Sequence, residues 1–206
     1  YKSHYGQIEQ REIYKWEAVV HFQDNWDIDA KNFPTMLENA LYKTKNLMAA
    51  GRYYPRDFIV WAAKKEPETV RGLFKDLYNL SADLKERMEC FREGAEEILV
   101  RHGSEGHSKT YQDHRALMVY LNMRYPDKYY LYKYTMFVDF SKLIDYAELP
   151  KAGDIGLLFM FESMCDMILK RVMSDRELLK MYEKRREKYY DPEYHLLVQD
   201  IIYSAK

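Results

Sequence analysis

The sequence predicts a mostly α protein: a multi-helix globular domain of about ten helices with at most one short extended β-like segment. Three observations predict it. Apolar residues recur at three- and four-residue spacing along most of the 206-residue chain. Most of those runs begin at a cap residue or at a proline, which the first helical turn tolerates. Apolar residues make up 47% and charged residues 32%, a balance that buries a core instead of leaving the chain disordered.

The elements follow in order. Ile13, Trp16 and Val20 mark a helix ending near Trp26. Phe33, Leu37, Leu41 and Thr44 mark a second, stopped by Gly51, and Pro55 opens a third through Phe58, Ile59 and Ala62. Glu66-Pro67 starts a helix with Val70, Phe74, Leu77 and Tyr78 on one face. Ser81 caps a helix carrying Leu84, Met88, Phe91, Ala95 and Ile98, and Gly103 closes it. Residues 103–112, GSEGHSKTYQ, are small and polar and read as an exposed flexible loop. Asp113 caps the next helix, which stops near Tyr125 because Pro126 disfavours helical geometry before it. The KYYLYKY stretch at 128–134 has aromatic strand character and no cap, so it is the one extended candidate. Helical spacing resumes at Phe137, Phe140 and Ile144. The stretch Ile155 to Val172 is apolar almost all round and reads as the central buried helix. Ser174 to Glu177 forms a capping box with Met173 and Leu178 as its hydrophobic staple, and Asp191-Pro192 starts the last helix. The whole reads as a single helical module over 1–206, with two lobes possible on either side of 103–112.

Bulk properties narrow the function. A net charge of −1 excludes a uniformly basic nucleic-acid binder, so any phosphate contact has to come from a local patch. Cys90 and Cys165 sit in apolar helical patterns without CxxC spacing, as reduced core residues of a cytoplasmic protein would. The longest apolar run, Ile155 to Phe161, is far too short for a bilayer, and no signal peptide is visible, so no membrane partner is expected. A first residue of Tyr and an abrupt end at Lys206 read as a segment of a longer protein.

Catalytic spacing is missing. There is no GxxxxGKS/T or GxGxxG loop, no HExxH and no Glu-x-x-His. His102 and His107 flank a glycine-containing loop, where histidines are usually solvated, so no metal and no cofactor are expected in this segment. Pro126-Asp127 lacks the following acidic-x-Lys of a nuclease signature, and no serine or cysteine sits in a nucleophile elbow. The segment is expected not to be an enzyme.

What remains is binding. Tyrosine accounts for 20 residues, and six of them crowd around Lys128 and Lys133 in YPDKYYLYKYTMFVDFSKLIDY. Such a cluster serves either as an aromatic core with hydrated hydroxyls or as a surface that stacks and charge-pairs with a ligand. Lys180, Lys184 and Lys188 repeat every four residues beside Arg185, as phosphate contacts or as an exposed helix laced with ion pairs. Lys43, Lys45, Arg52 and Arg56 flank Tyr53-Tyr54 at a turn, which suits either stacking on an unpaired base or a packed corner.

Three stretches, YKWEAVVHFQDNWDID at 14–29, YPDKYYLYKY at 125–134 and YHLLVQDIIYSAK at 194–206, carry a resemblance. Together they resemble the helical N-terminal module that precedes the AAA+ motor in McrB-type restriction proteins. The resemblance implies a non-catalytic module that chooses the target, commonly modified DNA, while a motor elsewhere hydrolyses nucleotide and a partner subunit cuts. Under that reading Tyr129, Tyr130, Tyr132 and Lys133 stack and charge-pair with DNA. Lys180, Lys184, Arg185 and Lys188 contact phosphates, and Arg52 and Tyr53 supply a second contact. The alternative is a helical scaffold that binds a partner subunit or a phage protein.

Overall fold

The structure, a computed structural model, describes residues 1–49, 51, 53–103, 106–149 and 151–205, with Glu9 described by its backbone alone. Among them are twelve α-helices and no β-strand. In chain order these are α1 (Tyr5–Glu12), α2 (Tyr14–Asn25), α3 (Phe33–Ala40), α4 (Lys45–Met48), α5 (Pro55–Lys65) and α6 (Pro67–Leu77). They continue as α7 (Leu84–His102), α8 (His114–Arg124), α9 (Tyr134–Leu143), α10 (Gly156–Ser174), α11 (Arg176–Arg186) and α12 (His195–Ser204).

Local chemistry sets most boundaries. Asn32 caps α3 through the Thr35 amide, and prolines open α5 and α6. Asp113 caps α8 as expected, whereas α7 is capped by Asp83 and not by Ser81. Ser81 instead closes a turn on Asn79. The expected helix from Phe33 to Gly51 is three pieces, α3, a 3-10 turn at Tyr42–Thr44 and α4, because Thr44 turns its hydroxyl back to the Leu41 carbonyl. The capping box at Ser174 is not formed. Asp175 takes the cap, Ser174 bonds the Arg171 carbonyl, and Met173 is exposed, so the staple is missing as well.

The buried helix at the centre is α8, not α10. Every residue from Ala116 to Met123 is buried, between α2 on one side and the 128–133 segment on the other. Its Tyr120 joins Phe74 and Phe91 with ring centroids 5.3 and 5.9 Å away, in an aromatic cluster that continues to Trp26 and Tyr78. A second cluster joins Tyr130, Tyr132, Phe137 and Phe161 under α9, α10 and α12. Buried apolar side chains from Trp16 to Ile202 form one hydrophobic core. One face of α10 is turned outward, with Phe159 and Met167 nearly half exposed.

The 103–112 stretch is anchored at its C-terminal end. Thr110 and Gln112 are buried, and Gln112 donates to the Pro55 carbonyl and accepts from the Tyr120 hydroxyl. Ser104 and Glu105 of that stretch lie outside the described residues. Cys165 is buried, while Cys90 is exposed on α7.

Candidate functional site

The tyrosines expected to stack on DNA are core residues. Tyr129, Tyr130 and Tyr132 are 8%, 2% and 6% exposed. The segment is extended, as Lys133 shows, but it docks on helices on both sides, which seals its alternating side chains. The Tyr129 hydroxyl receives a hydrogen bond from Arg87, and the Tyr130 hydroxyl donates to Asp166 while its ring lies 4.0 Å from that of His195. Burial and the Asp166 carboxylate hold the Tyr130 phenol well above its ordinary value. Neither ring is available to a base.

Arg185 is likewise structural. It points inward from α11, 4.3 Å over the Trp16 ring and 5.0 Å over Tyr5, with a guanidinium nitrogen 3.7 Å from Asp200. One step along a helix turns a side chain by about 100°, so Arg185 cannot share the face of Lys184. Lys180 and Lys184 are exposed on α11. Lys188 is exposed too but falls beyond the end of that helix, its ammonium 5.1 Å from the Tyr189 ring, so the expected four-residue stripe is broken. Tyr53 is half-buried, donating to Asp113 beneath the Arg115 guanidinium. Burial and the Asp113 charge raise its phenol strongly. Arg52 lies outside the described residues.

Two of the expected residues do meet a ligand-sized feature. Tyr132 and Lys133 line a cleft with Tyr14 and Lys15 of α2, Asn46 and Leu47 of α4, Arg115 of α8 and Gln199 and Tyr203 of α12. The volume of the cleft is about 60 Å³. Tyr14 and Asn46 also line an open groove of about 410 Å³ bounded by Glu17, Tyr42, Lys43, Lys45, Arg56 and Asp57. Cleft and groove therefore run into each other. Together they are lined by six basic side chains (Lys15, Lys43, Lys45, Arg56, Arg115, Lys133) and two acidic ones (Glu17, Asp57). Four tyrosines, Tyr14, Tyr42, Tyr132 and Tyr203, are interleaved with them.

Several of these charges are positioned by the fold. Lys15 is fully buried between Glu12 at 2.8 Å and Asp200 at 3.1 Å, with its ammonium 4.5 Å over the Tyr203 ring. Desolvation raises the Asp200 carboxyl, and the Lys15 charge counters it. Arg56 donates to the carbonyls of Leu41 and Glu38, closing the C-terminal end of α3. Arg115 donates to the Leu47 carbonyl, tying α8 to α4. Lys43 reaches Glu17 at 3.4 Å, both well exposed, a pair that contributes little to stability and yields readily to a ligand.

Lys15, Arg115, Gln199 and Tyr203 were not singled out by the sequence. A signal for part of this set was present: the polar pair Gln199-Asp200 interrupts the apolar run LLVQDII, and buried polar residues require partners. Among the described residues no three His, Cys, Asp or Glu side chains converge as metal ligands. His102 bonds Glu66, and His107 packs on Trp61. Among the described residues no helix is long and apolar enough to cross a membrane. No known family model, curated protein or solved structure matches the chain.

Proposed function

We propose that this chain is a non-catalytic, target-recognition module of a McrB-like restriction NTPase, and that it contacts DNA through the α2–α4–α12 groove. The observation that carries the proposal is the excess of six basic over two acidic side chains along a groove interleaved with tyrosine rings. Cations beside aromatic faces clamp a phosphate backbone while unpaired bases stack, and this needs no sequence readout. The contact residues are then Lys43, Lys45, Arg115 and Lys133 for phosphates and Tyr14, Tyr42 and Tyr203 for bases.

Fluorescence anisotropy across a salt series tests this. Four phosphate contacts on a single strand give a log–log salt slope of about −3, so affinity drops roughly 50-fold between 50 and 200 mM salt. Changing Lys43, Lys45 and Lys133 together to Glu abolishes that binding. Absence of any binding at low salt to single strands or duplexes, plain or methylated, refutes the DNA reading.

A second reading has its own observation. Phe159 and Met167 on α10 and Leu143 on α9 are between 45% and 63% exposed, and such apolar surface suits a protein partner. Binding to that surface would barely respond to salt, and changing Phe159 to Ser would remove it.

A further inference from the structure

We infer that the outward face of α10 is a docking site for an arginine-bearing apolar segment of a partner protein, whose guanidinium seats between Glu162 and Asp166. The inference rests on the protein-partner reading above and uses no residue of the DNA groove. Four carboxylates meet there without a cation. Glu162 and Asp166 stand one turn apart on α10, Asp127 comes from the turn before the 128–133 segment, and Glu193 from the turn before α12. Among the described residues none of the four has an ion pair, and Lys170, one turn beyond Asp166, reaches none of them. They gather around the Tyr130–His195 pair, whose rings lie 4.0 Å apart. The Tyr130 hydroxyl donates to Asp166 at 2.9 Å and feels the charge of Glu162, while Asp127, Asp166 and Glu193 act on His195. His195 is 7% exposed, and its Nδ1 has no hydrogen-bond partner. Burial lowers its imidazole below the ordinary value, so at pH 7 the ring is neutral and offsets none of the carboxylates. Buried polar atoms without partners are rare, and one set among unpaired carboxylates points to a donor that comes from outside.

The chemistry of the face selects the partner. A guanidinium is a planar fork of N–H donors, so one group spans two carboxylates a helical turn apart, where a lysine ammonium is a single point charge. Beside the acids runs an apolar row. Phe159 and Met167 are 45% and 47% exposed, and Ser163 stands midway between them at four-residue spacing. Its hydroxyl turns back to the Phe159 carbonyl at 2.8 Å, which leaves a shallow notch with no free donor, suited to an apolar side chain. The partner segment therefore carries an arginine next to an apolar residue. Glu162 makes the docking pH-dependent. The groups around it are Asp166 and buried Cys165 on its own helix, Tyr130 and Asp127 from the preceding segment, and His195 and Glu193 at the start of α12. None of them is a cation at pH 7, and burial with Asp166 beside it pushes the Glu162 carboxyl up to about 7. A guanidinium favours the ionised form, so docking expels the proton and tightens as pH rises through 7. The seat is half-buried, so salt screens the pair little and its salt response stays shallow beside that of the DNA groove.

Selection of short random peptides displayed on phage, against the intact chain at pH 8, tests the inference, with the affinities of the selected peptides then measured by fluorescence anisotropy. The expected peptides carry arginine beside Leu, Ile, Phe or Met, and they weaken at least tenfold when that arginine is replaced by glutamine. Glu162 is ionised to about a tenth at pH 6 and about nine tenths at pH 8, so they bind roughly tenfold tighter at the higher pH. Glu162→Gln, which only removes a half-buried charge, abolishes that pH dependence. Phe159→Ser weakens binding at both pH values and keeps the pH dependence. Peptides without arginine, or arginine peptides that bind a Glu162→Gln, Asp166→Asn double variant as tightly as the unaltered chain, overturn the arginine seat. If such peptides still lose affinity with Phe159→Ser, the protein-partner reading survives without it. Selection of no peptide at all overturns both.

Discussion

Arg185 gives up its hydration to stack between Trp16, Tyr5 and Tyr182 near Asp200, and a buried cation held this way resists truncation. Removing one partner of a buried charge set costs about 3–5 kcal/mol. Arg185→Ala is therefore expected to lower the melting temperature by roughly 10 °C. Lys184→Ala, on the exposed side of the same helix, leaves it within about 2 °C. Thermal melts of the two variants check the assignment. Glu162 gives a pH signature. Burial, with Asp166 beside it, pushes its carboxyl up to about 7 from a usual 4.5. The folded state then holds a proton that the unfolded state has already released, so this contribution is complete below pH 4.5 and is lost as pH rises through 7. Glu162→Gln should raise stability at pH 8 by about 1 kcal/mol, or 2–4 °C, and leave pH 4 unchanged. At this scale the sequence was legible for type and blind to direction. Tyr130 and Tyr132 read equally well as surface or core, because a phenol suits both, and only the docking of their segment against α8 and α10 decides it.

Among the elements, α12 shows how one carboxylate can organise a helix from outside it. Asp191 accepts from the amides of Leu196 and Leu197 and from the Tyr182 hydroxyl, while Tyr194, in the left-handed region at φ 61°, turns the chain into the helix. Burial holds the Asp191 carboxyl at about 6 in spite of those donors. Asp191→Ala strands two amides and a phenol and should cost about 2 kcal/mol or more, whereas Asp191→Asn keeps an acceptor and costs less. Denaturant melts of the two variants separate the cap from the charge. The Asp191-Pro192 signal found this helix start to within a few residues, as Pro55, Pro67 and Asp113 found theirs. Apolar periodicity misplaced the centre instead. The stretch 155–172 has more apolar residues than α8, but Phe159, Met160 and Met167 leave it with no purely polar face to reveal that one side is outward. Nor did it mark α1, whose residues Gly6, Gln7, Gln10 and Arg11 are exposed and carry no apolar period.

For the whole molecule, a net charge of −1 conceals a separation of charge. Four glutamates, Glu89, Glu93, Glu96 and Glu97, lie along the outer side of α7 against Arg92 and Arg101, while basic residues collect in the groove between α2, α4, α8 and α12. A polyanion is repelled by the first face and drawn to the second, and that steering is strongest at low ionic strength. Summing charge along the chain cannot reveal such a groove, because Lys15, Lys43, Arg115 and Lys133 are far apart in sequence and meet only once α8 is buried between α2 and the 128–133 segment. The most direct measurement is photo-crosslinking of a bromodeoxyuridine-bearing single strand to the intact chain, with adducts mapped by peptide mass spectrometry. Adducts on Tyr14, Tyr42 or Tyr203 are the predicted result. Adducts confined to α11 around Lys180 and Lys184, or to the outer side of α10, would contradict it.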